Sequence, residues 1–175
     1  MHTASWQRPA ADEFAPFYAA YVAGVPDGDV IRTLAEQGES LLARFKNLSD
    51  AQASGAYAPG KWTVKEVICH ISDTERIFAY RILRMGRGDA TPLSAFDENA
   101  YAPTSGANDR SLESLLSEFA AVRGSTLALL RGLPEAAWTR RGVASGKEVS
   151  VRALAWISAG HAIHHVRVLE ERYDV

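Results

Sequence analysis

The run from Val151 to Tyr173 contains no proline and reads as one long helix, with Gly160-His161-Ala162-Ile163-His164-His165 in its middle. At about 100° per residue, His161 and His165 fall about 40° apart on one face, close enough to share a single ion. Two imidazoles need a third ligand. Outside this stretch the interior of the chain offers one histidine, His70, in another long helical run. A metal reading therefore demands a fold that brings His70 against the pair; otherwise the three are core histidines satisfied by hydrogen bonds.

The rest of the chain is compatible with that demand. Its 175 residues are enough for one domain, 1–175, with residues 1–25 as an N-terminal arm packed on it. A composition 47% hydrophobic and 23% charged excludes a disordered or collagen-like chain. The net charge of -2 argues against a general grip on nucleic acid, which needs a surplus of Lys and Arg on one face. Cys69 is the single cysteine, so no internal disulfide forms. No stretch reaches the roughly 18 continuous apolar residues of a membrane span, and Met1 to Pro16 lacks the apolar core of a signal peptide. The expected location is cytoplasmic.

Helical spacing recurs along the chain. Phe14, Phe17, Tyr18 and Tyr21 fall at i, i+3, i+4 and i+7, an aromatic face for packing on the domain or for bordering a pocket. A first long helix begins with Asp27 or Asp29 as cap and runs through Val30, Leu34, Leu41, Leu42, Phe45 and Leu48. The second opens with a capping box, Thr63 and Glu66, and a Trp62/Val67 staple, then continues to about Met85. Its apolar stripe includes Val67, Ile71, Phe78 and Ile82, and His70 shares the inner side. Cys69 lies about 100° round from His70 and reads as a buried, inert thiol.

Residues 86–109 have no sustained period and form a long loop in which Phe96, Asp97, Glu98 and Tyr101 either reach a pocket or tie the loop down. A third helix runs from near Asp109 or Ser111 until Gly132 and Pro134 end it. The link from Pro134 to Lys147 makes a turn or a short hairpin, and Arg140 and Arg141 there are either solvated or available to an anion. The fourth helix, from about Ser150, carries the histidines. Four long helices with no convincing strand predict an all-α four-helix bundle, in which the long link between the second and third helices leaves room for a crossover.

Imidazole nitrogens suit Zn, Ni, Cu or Fe, and three of them leave coordination positions open, as a catalytic site requires. The zincin motif fails because Ala162 stands where its Glu would be. A ferritin-like di-metal centre fails too, since Val67 and Ser158 occupy the Glu positions three residues before His70 and His161. His164 falls on the side away from His165 and remains unassigned, as a pocket residue or a ligand in place of His165.

The ordered set Gly60-Lys61-Trp62-Thr63-Val64-Lys65-Glu66-Val67, His70, Asp73-Thr74-Glu75-Arg76, Arg87-Gly88-Asp89 and Gly160 to His165 resembles the DinB superfamily, in its YfiT-like branch, from about Arg8 to Tyr173. The resemblance implies a DinB-like bundle holding a divalent ion (Zn, Ni or Fe) through His70, His161 and His165. It also implies kinship with bacillithiol S-transferases, with mycothiol-dependent maleylpyruvate isomerases and with proteins described as metal-dependent hydrolases.

The expectation that follows is an enzyme activating a low-molecular-weight thiol, as cosubstrate, for S-transfer to an electrophile. Its alternatives are a metal-dependent hydrolase, which wants a carboxylate near the open position and has Glu98 as a candidate, and a non-catalytic metal-binding or stress-response interaction module with a fourth protein ligand. The expected partners are a small-molecule electrophile or thiol, neither nucleic acid nor membrane, with a homodimer left open.

Overall fold

A computed structural model describes residues 6–173. Seven helices and one hairpin follow in the order α1 (Ala19–Gly24), α2 (Val30–Phe45), α3 (Asp50–Ala53), α4 (Val64–Gly86), α5 (Glu98–Tyr101), α6 (Leu112–Arg131), β1 (Arg141–Ala144), β2 (Lys147–Ser150) and α7 (Val151–Arg172). The four long ones, α2, α4, α6 and α7, form a four-helix bundle, as expected.

Each long helix begins where a side chain can satisfy its free N–H groups. Asp29, rather than Asp27, accepts from Ile31 and Arg32 at the start of α2, and Asp27 instead pairs with Arg8. At α4 the capping box is complete: Glu66 N–H donates to Thr63 Oγ1 at 3.1 Å and Thr63 N–H to Glu66 Oε2 at 2.7 Å. Ser111 and Ser150 are simple N-caps of α6 and α7, accepting from Ser114 N–H and Ala153 N–H.

The helices pack as a ring in the order α2, α6, α4, α7. Consecutive long helices α4 and α6 are therefore neighbours, whereas the links from α2 to α4 and from α6 to α7 cross diagonally. The crossover expected between the second and third helices lies elsewhere. The reason is that the segment joining α4 to α6 folds back over the end of the bundle, where Leu93 bridges to Ala144 of the hairpin. The hairpin resolves the basic link into strands: Ala144 pairs with Lys147 across Ser145-Gly146, both at positive φ, as a tight two-residue turn requires.

Two apolar clusters fill the bundle. One gathers Leu34, Phe78, Ile82, Leu154 and Trp156; the other gathers Phe45, Ile68, Ile71, Leu115 and Phe119. Between them runs a polar layer. Arg123 of α6, almost fully buried, donates to both oxygens of Glu75 of α4 and to the Leu34 carbonyl and Gln37 Oε1 of α2. Gln37 in turn donates to the Ala159 carbonyl of α7 at 2.9 Å. Gly38 makes room for this, because a Cβ there would stand 3.1 Å from Arg123 Cγ.

Removing one charge from the pair strands the other in a low-dielectric interior. Glu75→Gln is expected to lower unfolding stability by about 3 kcal/mol or more, read from urea denaturation. The double variant Glu75→Gln/Arg123→Met is expected to recover part of the loss, and additive losses would show that the two side chains are not coupled.

Candidate metal centre

His70 projects from α4 and His161 and His165 from α7, at the level where the two apolar clusters meet. Their Nε2 atoms converge. His70 Nε2 is 3.0 Å from His161 Nε2 and 3.2 Å from His165 Nε2, and ligating atoms of the three lie within 4.8 Å of one another. A neutral imidazole Nε2 carries either one proton or one lone pair, so His70 can satisfy only one of these two neighbours. Nitrogens that ligate one ion at about 2.0–2.1 Å, roughly 100° apart, are themselves about 3.1 Å apart. The three residues fit such an ion.

Burial sets their charge state. Desolvation pulls His70 down to about 4, partly countered by the negative charge of Glu98. It pulls His165 to about 3, with His70 and His164 adding to the effect. His161, the most deeply buried, is lowered well below its ordinary value by the same desolvation and by the other histidines. All three are therefore neutral near pH 7, with lone pairs available.

Aromatic rings hold the imidazoles in place. Trp62 lies 4.9 Å from His70, and the edges of Tyr21 and Phe78 face His161 at 5.7 and 6.1 Å. Thr74 Oγ1 is 3.5 Å from His70 Nδ1. His164 is exposed and points out of the cluster, with its ring 5.5 Å from Tyr21. Cys69 is buried beside Asp73, and burial pushes its thiol up, so it is the inert residue expected. Glu66 serves the capping box and Asp73 pairs with Arg76.

The histidines open into a cavity of about 360 Å³. Its walls come from segments that sequence periodicity does not bring together. Tyr18 and Tyr21 arrive from the N-terminal arm, Phe96 and Glu98 from the loop after α4, and Ser145 from the hairpin turn. The arm lies directly on α7 because residue 160 is glycine: a Cβ there would stand 2.1 Å from the Tyr21 carbonyl oxygen. At the other end, buried Glu13 accepts from Ser150 Oγ and pairs with Arg152, pinning the arm to the start of α7.

The two open alternatives for the arm and the loop are thus decided residue by residue. Tyr18 and Tyr21 border the pocket, as do Phe96 and Glu98. Asp97 instead caps α5, whereas Tyr101 packs on Phe96 and lines, with Glu98, a smaller recess beside His70. Arg140 donates to the Gly86 carbonyl and Arg141 pairs with Asp12 and Glu148, so neither faces the cavity. Arg81 was not anticipated. It is buried on the wall of the cavity, eleven residues after His70, a spacing of about 20° that puts both on one face of α4. Helical phase held that signal.

The sequence profile of the DinB superfamily matches residues 33–169. This chain belongs to the DinB superfamily. A protein of Geobacillus thermodenitrificans (strain NG80-2), provisionally named a metal-dependent hydrolase, is 25% identical to it over 138 residues, which is 77% of each chain. In fold, the chain is similar to YfiT from Bacillus subtilis, with a TM-score of 0.74 and 21% identity over 81% of this chain and 82% of that one. YfiT is likewise described, provisionally, as a metal-dependent hydrolase, with an unusual four-helix bundle topology. This DinB-superfamily chain also has no helix, among the described residues, long and apolar enough to cross a membrane.

Two outcomes test this geometry. Gly160→Ala is expected to displace the arm from α7, seen as faster proteolysis between residues 18 and 25 and a lowered Tm. In metal-free protein, the unfolded chain protonates its histidines below about 6.5 while the folded one, with His70 at about 4 and His165 at about 3, does not. Stability is therefore expected to fall as pH drops from about 6.5 towards 4; a urea midpoint unchanged between pH 7 and 5 would contradict buried neutral rings.

Proposed function

We propose that this DinB-superfamily chain is a metal-dependent enzyme in which His70, His161 and His165 hold one divalent ion, Zn, Ni or Fe, at the inner end of the cavity. The group of potential ligands among the described residues comprises these three side chains, and His164 faces away from them. That favours an open, catalytic arrangement over a structural ion with four protein ligands. An ion so held supplies Lewis acidity and lowers the pKa of a water or thiol that binds it.

The reading supported best is hydrolysis. The observation that carries it is Glu98, a carboxylate on the cavity wall close enough to His70 to raise that ring's pKa against the effect of burial. In this reading its carboxylate accepts a proton from an attacking water and returns it to a leaving group. The surrounding rings of Tyr21, Trp62 and Phe78 exclude bulk water and hold the apolar part of a substrate. The names of the relatives from Geobacillus and Bacillus agree with this reading.

Thiol S-transfer to an electrophile is the second reading. It draws on the three neutral ligands, which leave the ion's charge uncompensated and so favour a thiolate. Cys69 is buried and lies outside the cavity wall, so the thiol would be a low-molecular-weight cosubstrate.

Metal analysis of protein purified without chelator is expected to find about one ion per chain, lost in His70→Ala and His161→Ala. Unchanged stoichiometry in both would overturn the ligand assignment. Glu98→Gln is expected to keep the ion while lowering kcat on a 4-nitrophenyl ester by about 10²-fold or more. Turnover that requires an added thiol and is untouched by Glu98→Gln would replace hydrolysis with S-transfer.

A further inference from the structure

The chain buries two arginines almost completely, and they are treated differently. Arg123 meets Glu75 in a two-pronged ion pair within the bundle. Arg81, 2% exposed, has no carboxylate partner among the described residues. Its Nη2 donates to the Ser94 carbonyl at 2.8 Å and to Ser145 Oγ at 2.9 Å. The Tyr18 hydroxyl is its other polar neighbour.

A guanidinium has five N–H groups, and Nη2 uses its two on the serines. Three remain on Nε and Nη1. They diverge, because both parallel N–H pairs of a guanidinium include Nη2, so an anion beside Arg81 meets them singly, as one charge-assisted contact. A buried cation without a counter-charge is costly, and its cost is removed when an anion occupies the space beside it. That space is the cavity, since Arg81, Tyr18 and Ser145 line the same volume as the histidines.

The surroundings hold Arg81 in this position. Ser145 sits at φ 53°, a conformation that side-chain-bearing residues rarely adopt, at the tip of the hairpin turn. Leu93 pairs with the same turn through Ser145 N–H, which brings the Ser94 carbonyl to the same Nη2 that Ser145 Oγ meets. Along α4, His70 and Arg81 are about 16 Å apart in helix rise, and a long side chain on a helix leans back towards the N-terminus. Phe78 stands between them on the same wall.

We propose that Arg81 anchors a carboxylate of the substrate, so that the enzyme takes small carboxylic acids whose apolar body lies along Phe78 and whose reacting group reaches the histidines. Arg81 is a specificity-determining residue in this arrangement, and Tyr18 and Ser145 are its positioning residues. The inference rests on the cavity being the active site proposed above.

The test compares 3-phenylpropionate with its neutral amide, 3-phenylpropanamide, by calorimetric titration of the protein with its metal. The parent is expected to bind the acid at least about tenfold more tightly than the amide, the size of one charge-assisted contact. Arg81→Gln is expected to lose that preference with its metal content unchanged. His161→Ala is expected to lose the metal and keep the preference.

Equal affinities in the parent, or a preference that survives Arg81→Gln, would overturn the proposal. So would a preference that disappears with His161→Ala, because the carboxylate would then be sitting on the ion. Should Arg81→Gln not fold, Arg81→Lys keeps the charge but not the several fixed N–H directions that reach Ser94, Ser145 and an anion together, and is expected to reduce the preference at least threefold; no reduction counts against the anchor. Metal content unchanged in His161→Ala would remove the metal reading while the probe pair still judges Arg81.

Discussion

The interaction on which the site depends is the buried contact of Arg123 with Glu75. It joins α6 to α4, and through the Leu34 carbonyl and Gln37 it reaches α2 and then the Ala159 carbonyl of α7. A slip of any of these helices by one residue would turn a charge or a carbonyl towards apolar neighbours, at a cost of several kcal/mol per unpaired ion. Glu75 lies five residues from His70, and Ala159 two residues from His161. The same layer that fixes helix register thereby fixes how far the two ligand-bearing helices stand from each other.

Around this frame, three irregular segments build the rest of the cavity. The arm is held at Glu13 and again where Gly160 lets its backbone touch α7. The segment after α4 is held against the hairpin by hydrogen bonds between Leu93 and residues 143 and 145. The apolar groups they contribute complete a wall that the four long helices alone leave open. The polar groups they contribute, Glu98 and Ser145, line one pocket with His70 and Arg81, and Ser145 accepts from Arg81.

The long helices, their caps and the facing of His70, His161 and His165 were legible in the sequence. Helical periodicity, the Thr63/Glu66 capping box and i, i+4 spacing are local relations, carried by residues within one or two turns. The inertness of Cys69 was readable for the same reason, from its angle to His70 on one helix. Less was legible where the deciding contact is distant. Glu98 and Asp97 are adjacent and chemically alike, yet one faces the pocket and the other caps α5, a difference set by how the loop folds back. Arg81 shares the phase of His70, but a charged residue on an inner face announces nothing until its partners are known.

By itself, then, the sequence determined that four amphipathic helices would bury a common core and that two of them would present imidazoles inward. Those outcomes follow from hydrophobic spacing and from backbone groups that must be capped. Tertiary structure alone decided the ring order of the helices, the diagonal links and the seating of the arm on Gly160. It also decided which of two buried arginines is neutralised: Arg123 by Glu75, while Arg81 meets, among the described residues, oxygens of Ser94, Ser145 and Tyr18. The physical reason is that pairing of a buried charge depends on groups dozens of residues away, and only packing brings them within hydrogen-bond distance.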